Sequence, residues 1–466
     1  MKRTVVIIGG GLAGIAAALR LIETEYKPIL IESSRRLGGR ATSFDDPRTG
    51  ETLDNCQHVV MGCCTNLLDL YERLGVLESI AWGHSVYWTS GRGEIDELGA
   101  GWLPAPLHLA GAMRRMKLLS NVEKRHIAKA MWRIIRMGSK GRFEWRDSTF
   151  RAFLDHCKQP ESVITRFWNV IVVSACNLDV DRCGAAFAIQ VFQDGFMSNR
   201  FGYSVGLPTT PLRELYDPAI SMIEQGGGEV RLGCSAKALA YDSRRITGVN
   251  TLDGMIDASA VMCAVPFDRL DKLVSSTLRK ADTRLQKLDA FAYSPILGVH
   301  LFFDQTIMEL PHLTVVDHDI QWVFNKGVDE QGRQHLHVVI SAADVWMDLD
   351  EAEITRRLVK DIHSVLPKAK GLDPIRVRVI KEKRATFAPT PGIDSIRPGP
   401  ASGTVGLAGG GVPNLYLAGD WTDVGWPSTM EGAVRSGYAA SEAITGQGGL
   451  VDDIPTSLLG LALGLR

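Results

Sequence analysis

The stretch TVVIIGGGLAGIAAALRL, residues 4–21, decides the fold of this chain of 466 residues. Its β-branched first part is typical of a buried strand, and its Ala- and Leu-rich last part is typical of a helix, with glycines at the junction. A second apolar run, residues 28–31, ends at Glu32, which lies 18 residues after Gly14. This spacing predicts a strand–helix–strand unit that binds a dinucleotide.

The three glycines of the junction have different expected roles. Gly9 permits the tight turn, Gly11 lets the backbone approach a pyrophosphate, and Gly14 lets the helix pack closely on the strand. The N–H groups and the dipole of the helix then receive the phosphates. Glu32 can accept hydrogen bonds from both hydroxyls of a ribose. A structural turn without a ligand is the alternative, and the terminal acid favours the binding site.

A second glycine pair, Gly38 and Gly39, follows the unit and is flanked by Arg36 and Arg40. An NAD site has no general need of such a segment. The longer dinucleotide FAD does, because backbone must approach it again and a guanidinium can neutralise its diphosphate. We therefore predict FAD as the cofactor. The alternative is a basic surface loop.

These residues resemble the FAD-binding opening of the flavin amine oxidase and phytoene desaturase superfamily. The far end agrees, since residues 415–420 form an apolar run that ends in Gly419 and Asp420, and residues 429–434 open a small-residue helix. In that superfamily the acid holds the ribityl chain, and the helix N-terminus points at the pyrimidine edge of the flavin, where it stabilises negative charge. The further cofactor contacts that the resemblance implies are Gln57, His58, Ala236 through its backbone, Met430, Glu431 and Ala433. Taken without the resemblance, Asp420 could simply cap a helix.

Within the superfamily, the chain is similar to the hydroxysqualene dehydroxylase family, its squalene-associated FAD-dependent branch. The similarity covers nearly the whole chain and is carried by residues 54–62, 74–75, 102–107, 418–423 and 426–427. It implies a long branched hydrocarbon substrate with one hydroxyl, which a hydride from reduced FAD replaces to give squalene in isoprenoid and hopanoid lipid synthesis. Cys56 departs from the pattern, because a glycine is expected before Gln57.

The predicted fold class is α/β, a discontinuous Rossmann-like FAD-binding domain with an inserted α+β substrate domain. We expect the FAD-binding domain to comprise residues 1–80, 206–275 and 391–450. The substrate domain would comprise 81–205 and 276–390, followed by a C-terminal tail, 451–466. Inside the second FAD-binding segment the pattern predicts a helix and then a small β meander that returns to the first sheet, with elements at 218–225, 229–232, 236–241, 246–251 and 258–264.

The implied reaction needs an apolar tunnel and an acid that assists departure of the hydroxyl. His58 is the candidate acid, and the alternative is a hydrogen-bonded histidine that orients its loop. The candidate tunnel residues are aromatic side chains, which elsewhere are plain core; they are Trp88, Trp102, Phe187, Phe192, Phe196 and Trp322. The reaction also requires an electron donor, of a kind that the sequence leaves open.

Residues 113–142 carry ten Lys and Arg and one acid, a local charge of +9, with Met131, Trp132, Ile134 and Ile135 interleaved. This pattern predicts either a helix at an anionic membrane surface or a solvated helix that packs by its apolar face. The apolar tail, residues 458–465, is shorter than the span of about 20 residues that crosses a bilayer. It either docks on the protein or dips into a membrane surface.

Composition narrows the remaining classes. Apolar residues are 45% and charged residues 23%, as in globular proteins, and the formal net charge of −1 argues against a nucleic-acid partner. The eight cysteines form no CxxC pair, so we expect no disulfide framework and no metal site, and we expect a cytoplasmic protein that is peripheral on the inner membrane face. Two alternatives remain: a carotenoid-type desaturase or amine oxidase, and a catalytically silent FAD-binding partner at a membrane.

Overall fold

In a computed structural model of the chain, the structure describes residues 3–91, 93–401 and 410–465. The strands, in chain order, are β1 Arg3–Ile8, β2 Tyr26–Glu32, β3 Ser43–Asp45, β4 Thr52–Asp54, β5 Val60–Met61, β6 Ile80–Gly83, β7 Ser85–Thr89, β8 Asp96–Gly99, β9 Val205–Pro208, β10 Glu229–Leu232, β11 Ala236–Tyr241, β12 Ile246–Thr251, β13 Gly254–Asp257, β14 Ala260–Cys263, β15 Tyr293–Phe303, β16 His312–Val315, β17 Trp322–Val328, β18 Gln334–Ser341, β19 Arg376–Phe387 and β20 Leu415–Leu417. The α-helices are α1 Leu12–Ile22, α2 Thr65–Arg73, α3 Ala110–Arg115, α4 Asn121–Phe143, α5 Phe150–His156, α6 Glu161–Val163, α7 Asn169–Cys176, α8 Ala185–Gln190, α9 Pro218–Gln225, α10 Phe267–Leu273, α11 Ser276–Ala281, α12 Glu351–Val365, α13 Met430–Thr445 and α14 Leu458–Leu463.

A parallel sheet of five strands, in the order β10-β2-β1-β14-β20, lies at the centre of the first layer. Its middle strand is buried on both sides, as parallel strands covered by helices must be. The predicted strand–helix–strand unit and the α/β fold class are confirmed. The strands come from three separated parts of the chain, because β14 and β20 pair beside β1. The predicted limits of the two domains stay predictions.

The predicted meander is confirmed, with one difference in its second hairpin. The helix, β10, β11 and β12 have the predicted bounds. Residues 254–257, which lie outside the predicted elements, form the strand β13, because the chain reverses within two residues and Thr251 pairs with Gly254. Gly254 accommodates this tight reversal at φ +116°. The last strand is shorter than predicted and spans only β14.

A second sheet of seven strands has the order β19-β15-β18-β17-β16-β7-β8. Because side chains alternate along a strand, one cross-strand row carries Val299, Val338, Val323 and Leu313, all fully buried. This aliphatic face packs against α12. The neighbouring row, on the opposite face, carries His300, His337, Phe324 and His312. We call this opposite surface the histidine face; it lies against residues 54–59 of the first layer.

The basic segment forms α3 and α4, with a capping box at Ser120 that begins the longer helix. Ile134 and Ile135 are buried, so the apolar side of α4 packs into the protein, whereas Trp132 is half exposed. The apolar side of α4 is therefore covered by the protein itself, and contact of the charged side with a membrane stays a prediction. Among the described residues, no helix combines the length and the apolar character needed to cross a membrane.

Candidate functional site

The carboxyl edge of the parallel sheet brings the predicted cofactor residues together. Gly9 follows β1, Glu32 ends β2, and Asp420 follows β20 by three residues. Ligands of open parallel sheets bind at this edge, because the crossover connections there leave a crevice and the helices point their N-termini into it. Residues predicted from both ends of the chain thus lie on one edge of one sheet.

Two glycine segments lie side by side at this edge. Gly38 N–H donates to the carbonyl of Gly10 at 2.9 Å. A Cβ on Gly14 would lie 1.9 Å from the carbonyl oxygen of Gly9, so no larger residue lets α1 pack here. Gly11 differs, because a Cβ on it would meet only Gly39 Cα, at 3.9 Å. Protein packing therefore does not demand glycine at position 11, and an approaching pyrophosphate does; this open cradle at a helix N-terminus fits the diphosphate of FAD.

Glu32 is anchored by the backbone at the end of β2. Its carboxylate accepts hydrogen bonds from the N–H groups of Gly10 and Ser34, each at 2.7 Å. Ser33 Oγ also donates to it, at 3.0 Å. Because a carboxylate accepts about four hydrogen bonds, capacity remains for a ribose hydroxyl. Cys234 N–H donates to the carbonyl of Glu32 at 2.8 Å, which brings the start of β11, and with it Ala236, beside this residue. Arg36 is exposed nearby, and its Nε donates to Thr42 Oγ1 at 3.2 Å.

Asp420 joins the two ends of the chain. It is buried, forms an ion pair with Arg40, and accepts a hydrogen bond from Ser428 Oγ at 2.5 Å. Gly419 precedes it at φ +132°, and its N–H donates to Ser436 Oγ at 2.7 Å. Sequence reasoning missed the buried Arg397, whose guanidinium donates to the carbonyls of residues 420, 422 and 426 and fixes the loop after Asp420. No local pattern signals that role, since it depends on a contact across the fold.

Helix α13 begins at this loop, and Thr429 caps it by accepting from Gly432 N–H at 3.1 Å. Met430 and Ala433 are partly exposed at its first turn, where the helix dipole favours negative charge. Glu431 is a different case. Its fully buried carboxylate accepts from Leu67 N–H and from Arg435 Nε, each at 2.7 Å, and so ties α13 to the start of α2. The side chain predicted as a cofactor contact is thus committed to packing, and only its backbone is left for a ligand.

Residues 54–58 connect the cofactor edge to the histidine face. Asp54 is buried and accepts from Ser43 Oγ at 2.7 Å and from Leu212 N–H at 3.0 Å. Lys326 of β17 reaches the same segment, with Nζ at 3.3 Å from Asp54 Oδ2 and at 3.1 Å from Gln57 Oε1. The predicted residue Gln57 is therefore held by a lysine that sequence reasoning missed.

His58 donates through Nδ1 to the carbonyl of Cys56 at 3.0 Å, because a carbonyl oxygen can only accept. Burial lowers the pKa of His58 below its usual 6.5. The ring is therefore neutral at neutral pH, and its other nitrogen, Nε2, is an acceptor. This geometry suits a histidine that orients its loop, and it gives no support to the role of proton donor, which stays a prediction.

Three histidines stand together on the histidine face. His300 Nε2 donates to the carbonyl of Asp54 at 3.0 Å, so its Nδ1 accepts from His335 Nε2, 2.8 Å away. The ring of His337 stacks on that of His300 with centroids 3.9 Å apart. Burial lowers the pKa of His300 to about 4 and the pKa of His337 well below 6.5, so both rings are neutral. Alternation of His335 and His337 in the apolar run of β18 is the signal that could have found them.

His337 is fully buried, and neither of its ring nitrogens has a hydrogen-bond partner among the described residues. Trp88 Nε1 and Thr314 Oγ1, which lie opposite each other in the same sheet, share this property. An unsatisfied buried polar group costs about 1–3 kcal/mol, so groups of this kind mark a place where a ligand or bound solvent completes the hydrogen bonds.

The walls beside His337 are apolar. Trp322 and Phe324 stack with centroids 5.5 Å apart, and they pack with Val59, Ile296 and Val339. Of the six predicted tunnel aromatics, Trp322 lies in this wall. Three others are buried in the large hydrophobic core that extends to the parallel sheet, and Phe196 packs against that core; the three are Trp88, Phe187 and Phe192. The prediction for Trp102 is wrong: its side chain is 87% exposed on the outer surface, because its loop projects from the protein.

A dinucleotide cradle at the carboxyl edge of a parallel sheet, with a second glycine segment beside it and a largely apolar wall nearby, is typical of flavin-dependent enzymes. Residues 12–445 match the family model described as flavin containing amine oxidoreductase. The chain is 27% identical over 460 residues to hydroxysqualene dehydroxylase of Sinorhizobium fredii, covering 95% of this chain and 98% of that protein. It is 25% identical over 461 residues to 15-cis-phytoene desaturase of Synechococcus elongatus, covering 94% and 95%.

Among solved structures, cyclohexylamine oxidase of Brevibacterium oxydans aligns with a TM-score of 0.69 at 18% identity, over 96% of this chain and 99% of that one. Because the family model matches residues 12–445, the chain belongs to the flavin containing amine oxidoreductase family. It is an FAD-dependent oxidoreductase of the amine oxidase and phytoene desaturase superfamily. FAD, when bound, supplies hydride transfer at its isoalloxazine ring.

Proposed function

We propose that the protein reductively removes the hydroxyl of hydroxysqualene to give squalene. In this reaction the C–O bond breaks, the oxygen leaves as water with one proton taken from solvent, and a hydride takes its place on carbon. The two electrons come through FAD from an electron donor. Two relatives named hydroxysqualene dehydroxylase match the chain over nearly its full length, at 27% and 26% identity.

In this proposal each residue of the cofactor edge contacts a different part of FAD. The open backbone at Gly11 and Gly39 faces the diphosphate, and Glu32 accepts from the ribose. Asp420, fixed by Arg40 and Ser428, accepts from the ribityl chain. The N-terminus of α13 stabilises negative charge on the flavin.

The single observation that carries the proposal is the buried His337 with both nitrogens unpartnered in an apolar wall. A pure hydrocarbon such as a carotene has no group that could use it. A hydrocarbon with one hydroxyl does, because the neutral imidazole can donate to the oxygen, or accept from it, while the apolar side chains exclude water. This favours a hydroxylated isoprenoid over the substrate of the phytoene desaturases, which resemble the chain to nearly the same degree.

The experiment is turnover by the purified, FAD-loaded chain without oxygen. In the first mixture, hydroxysqualene is supplied together with a chemical reductant, and squalene is measured by mass spectrometry. In the comparison mixtures, phytoene or a primary amine is supplied together with an oxidant. The proposal expects squalene from the first mixture only. Oxidation of phytoene or of the amine without squalene formation would assign the protein to those reactions. Transformation of none of the three would favour a silent FAD-binding partner.

A further inference from the structure

Two segments far apart in the chain expose large apolar side chains on one surface. Trp102 and Leu107 lie in the loop of residues 100–108, and Leu458 and Leu461 lie on α14. Trp102 and Leu458 are each 87% exposed, which is rare for residues of their size. We call these four side chains the apolar patch. Clustered exposed apolar residues mark surfaces that bind a partner or a membrane.

Hydrogen bonds hold the two segments together. Ser457 Oγ donates to the carbonyl of Ala105 at 2.5 Å, and Ser457 N–H donates to the carbonyl of Ser198 at 2.8 Å. Arg200 Nη1 donates to the carbonyls of Trp102 and Leu103, each at 3.1 Å. The loop and α14 are therefore parts of one fixed surface.

The end of the tail is docked, so the exposure of Leu458 is not fraying. Leu465 is only 4% exposed and packs against Ile135 and Met197 of the protein core. The tail thus buries one of its apolar residues and presents others to the outside. The exposed leucines of the tail are therefore held in an outward position, where apolar surroundings would stabilise them.

Positive charge surrounds the apolar patch. The tail crosses α4 at Arg136, whose carbonyl is 3.5 Å from the position of a Cβ on Gly464. Arg125, Lys129, Trp132 and Arg136 follow one another at helical spacing along the exposed side of α4. Among the described residues, eight of the ten basic side chains in 113–142 have no carboxylate within 4.0 Å; Lys117 and Arg142 are the two that do.

A pocket of about 480 Å³ opens beside the patch. Arg115 and Arg200 line it together with His84, Phe201 and Tyr203, and Glu97 also reaches it. The Glu97 carboxylate accepts from Ser85 Oγ at 2.5 Å. Two arginines in the lining of such a pocket suit the phosphate of a lipid headgroup.

We propose that this surface docks on an anionic phospholipid bilayer. The apolar patch enters the boundary between headgroups and acyl chains, Arg115 and Arg200 take a lipid phosphate, and the exposed side of α4 lies along the negative surface. Charge complementarity selects this occupant, because an apolar patch bordered by unpaired arginines and lysines matches a negatively charged lipid surface. The inference does not depend on the substrate that the enzyme uses.

The test is co-sedimentation of the full FAD-loaded chain with vesicles of phosphatidylcholine alone or with one third phosphatidylglycerol. Binding is expected to the anionic vesicles and to weaken with added salt. The double variant Trp102→Ser/Leu458→Ser should bind at least about tenfold more weakly. The triple variant Arg125→Gln/Lys129→Gln/Arg136→Gln should bind on the order of a hundredfold more weakly at low salt. Arg115→Gln tests the pocket and should weaken binding several-fold.

Matched controls lie on the β11–β13 meander, which offers the exposed Leu252 and the exposed pair Arg244 and Arg245. Leu252→Ser and Arg244→Gln/Arg245→Gln should bind like the natural chain. Retained flavin absorbance shows that each variant is folded. Equal vesicle binding by the Trp102→Ser/Leu458→Ser variant would overturn the proposal. So would a natural chain that is dimeric by light scattering and becomes monomeric in this variant, since a second copy would then cover the patch.

Discussion

The two faces of the seven-stranded sheet come from the same strands and serve different ends. Val299, Val338 and Val323 fill one face under α12, while the adjacent positions along the same strands place His300, His337 and Phe324 on the other. The aliphatic face needs no ligand, because its apolar side chains carry no hydrogen-bonding groups and are stabilised by packing against α12. The histidine face leaves both nitrogens of the buried His337 without partners, and in our proposal the substrate hydroxyl supplies the missing hydrogen bond.

The largest effect should come from removing the cofactor while keeping both faces. Gly11→Val introduces a side chain where no protein atom crowds it and where the backbone is extended, at φ −76°, so the fold should persist. The added methyl groups occupy the place expected for the diphosphate. We expect a folded, colourless protein by absorbance at the flavin bands and by circular dichroism. A Gly11→Val protein with one bound FAD per chain would show that the cradle is not the site.

The aliphatic face should carry stability alone. Leu301 is fully buried on that face, so Leu301→Ala should lower the free energy of unfolding by about 2–5 kcal/mol. Turnover per folded molecule at low temperature should stay near that of the natural chain. Chemical denaturation and an activity assay on the same preparation measure both quantities. A large loss of turnover without a loss of stability would contradict the claim that the aliphatic face contributes to stability and not to turnover.

The histidine face should make the protein sensitive to acid. Burial lowers the pKa of His300 from 6.5 to about 4, so the native state favours the neutral ring more than the unfolded state does. The stability from this group is fully present above pH 6.5 and is lost as the pH falls toward 4, a change of roughly 3 kcal/mol. Urea unfolding between pH 7.5 and 4.5 measures it. His300→Gln should flatten the slope, and an unchanged slope would contradict this origin.

His337→Leu separates function from stability on the histidine face. Leucine of similar size removes two unpartnered nitrogens from an apolar wall, so the free energy of unfolding should be unchanged or higher. Turnover of hydroxysqualene should fall about a hundredfold, because the hydroxyl loses its partner. Bound flavin is the control for an intact site. Full turnover in this variant would remove the observation on which the proposed substrate rests.

The smallest effect should follow from crowding His337 rather than removing it. A Cβ on Gly298 would lie 3.0 Å from His337 Nε2 and 3.2 Å from the carbonyl of Asn55. Gly298→Ala should therefore shift the ring and reduce turnover several-fold. Gly83→Ala is the matched control, because its Cβ would meet only the carbonyl of Val205 at 3.6 Å. Equal turnover of the two variants would show that the position of His337 is not critical.

Features that depend on neighbouring residues could be predicted from the sequence, whereas features that depend on pairing between distant segments could not. The first unit was predictable, because strand periodicity, glycines and the terminal Glu32 lie within 32 residues and act on one another directly. The meeting of His300 with His337 was not, since it depends on the register between β15 and β18. The position of Trp102 was also out of reach, because a tryptophan's preference for burial was overridden by a loop that projects from the protein. The resemblance implies a cofactor contact for Glu431, but its side chain binds partners on α2 that lie 364 and 365 residues away in sequence.

The most direct measurement is an experimental structure of the FAD-loaded chain with a hydroxylated squalene analogue. We predict the isoalloxazine ring beside Asp420 and residues 57–58, and the analogue's oxygen within about 3.2 Å of a nitrogen of His337. An oxygen bound elsewhere, with His337 still unpartnered beside the hydrocarbon, would contradict it.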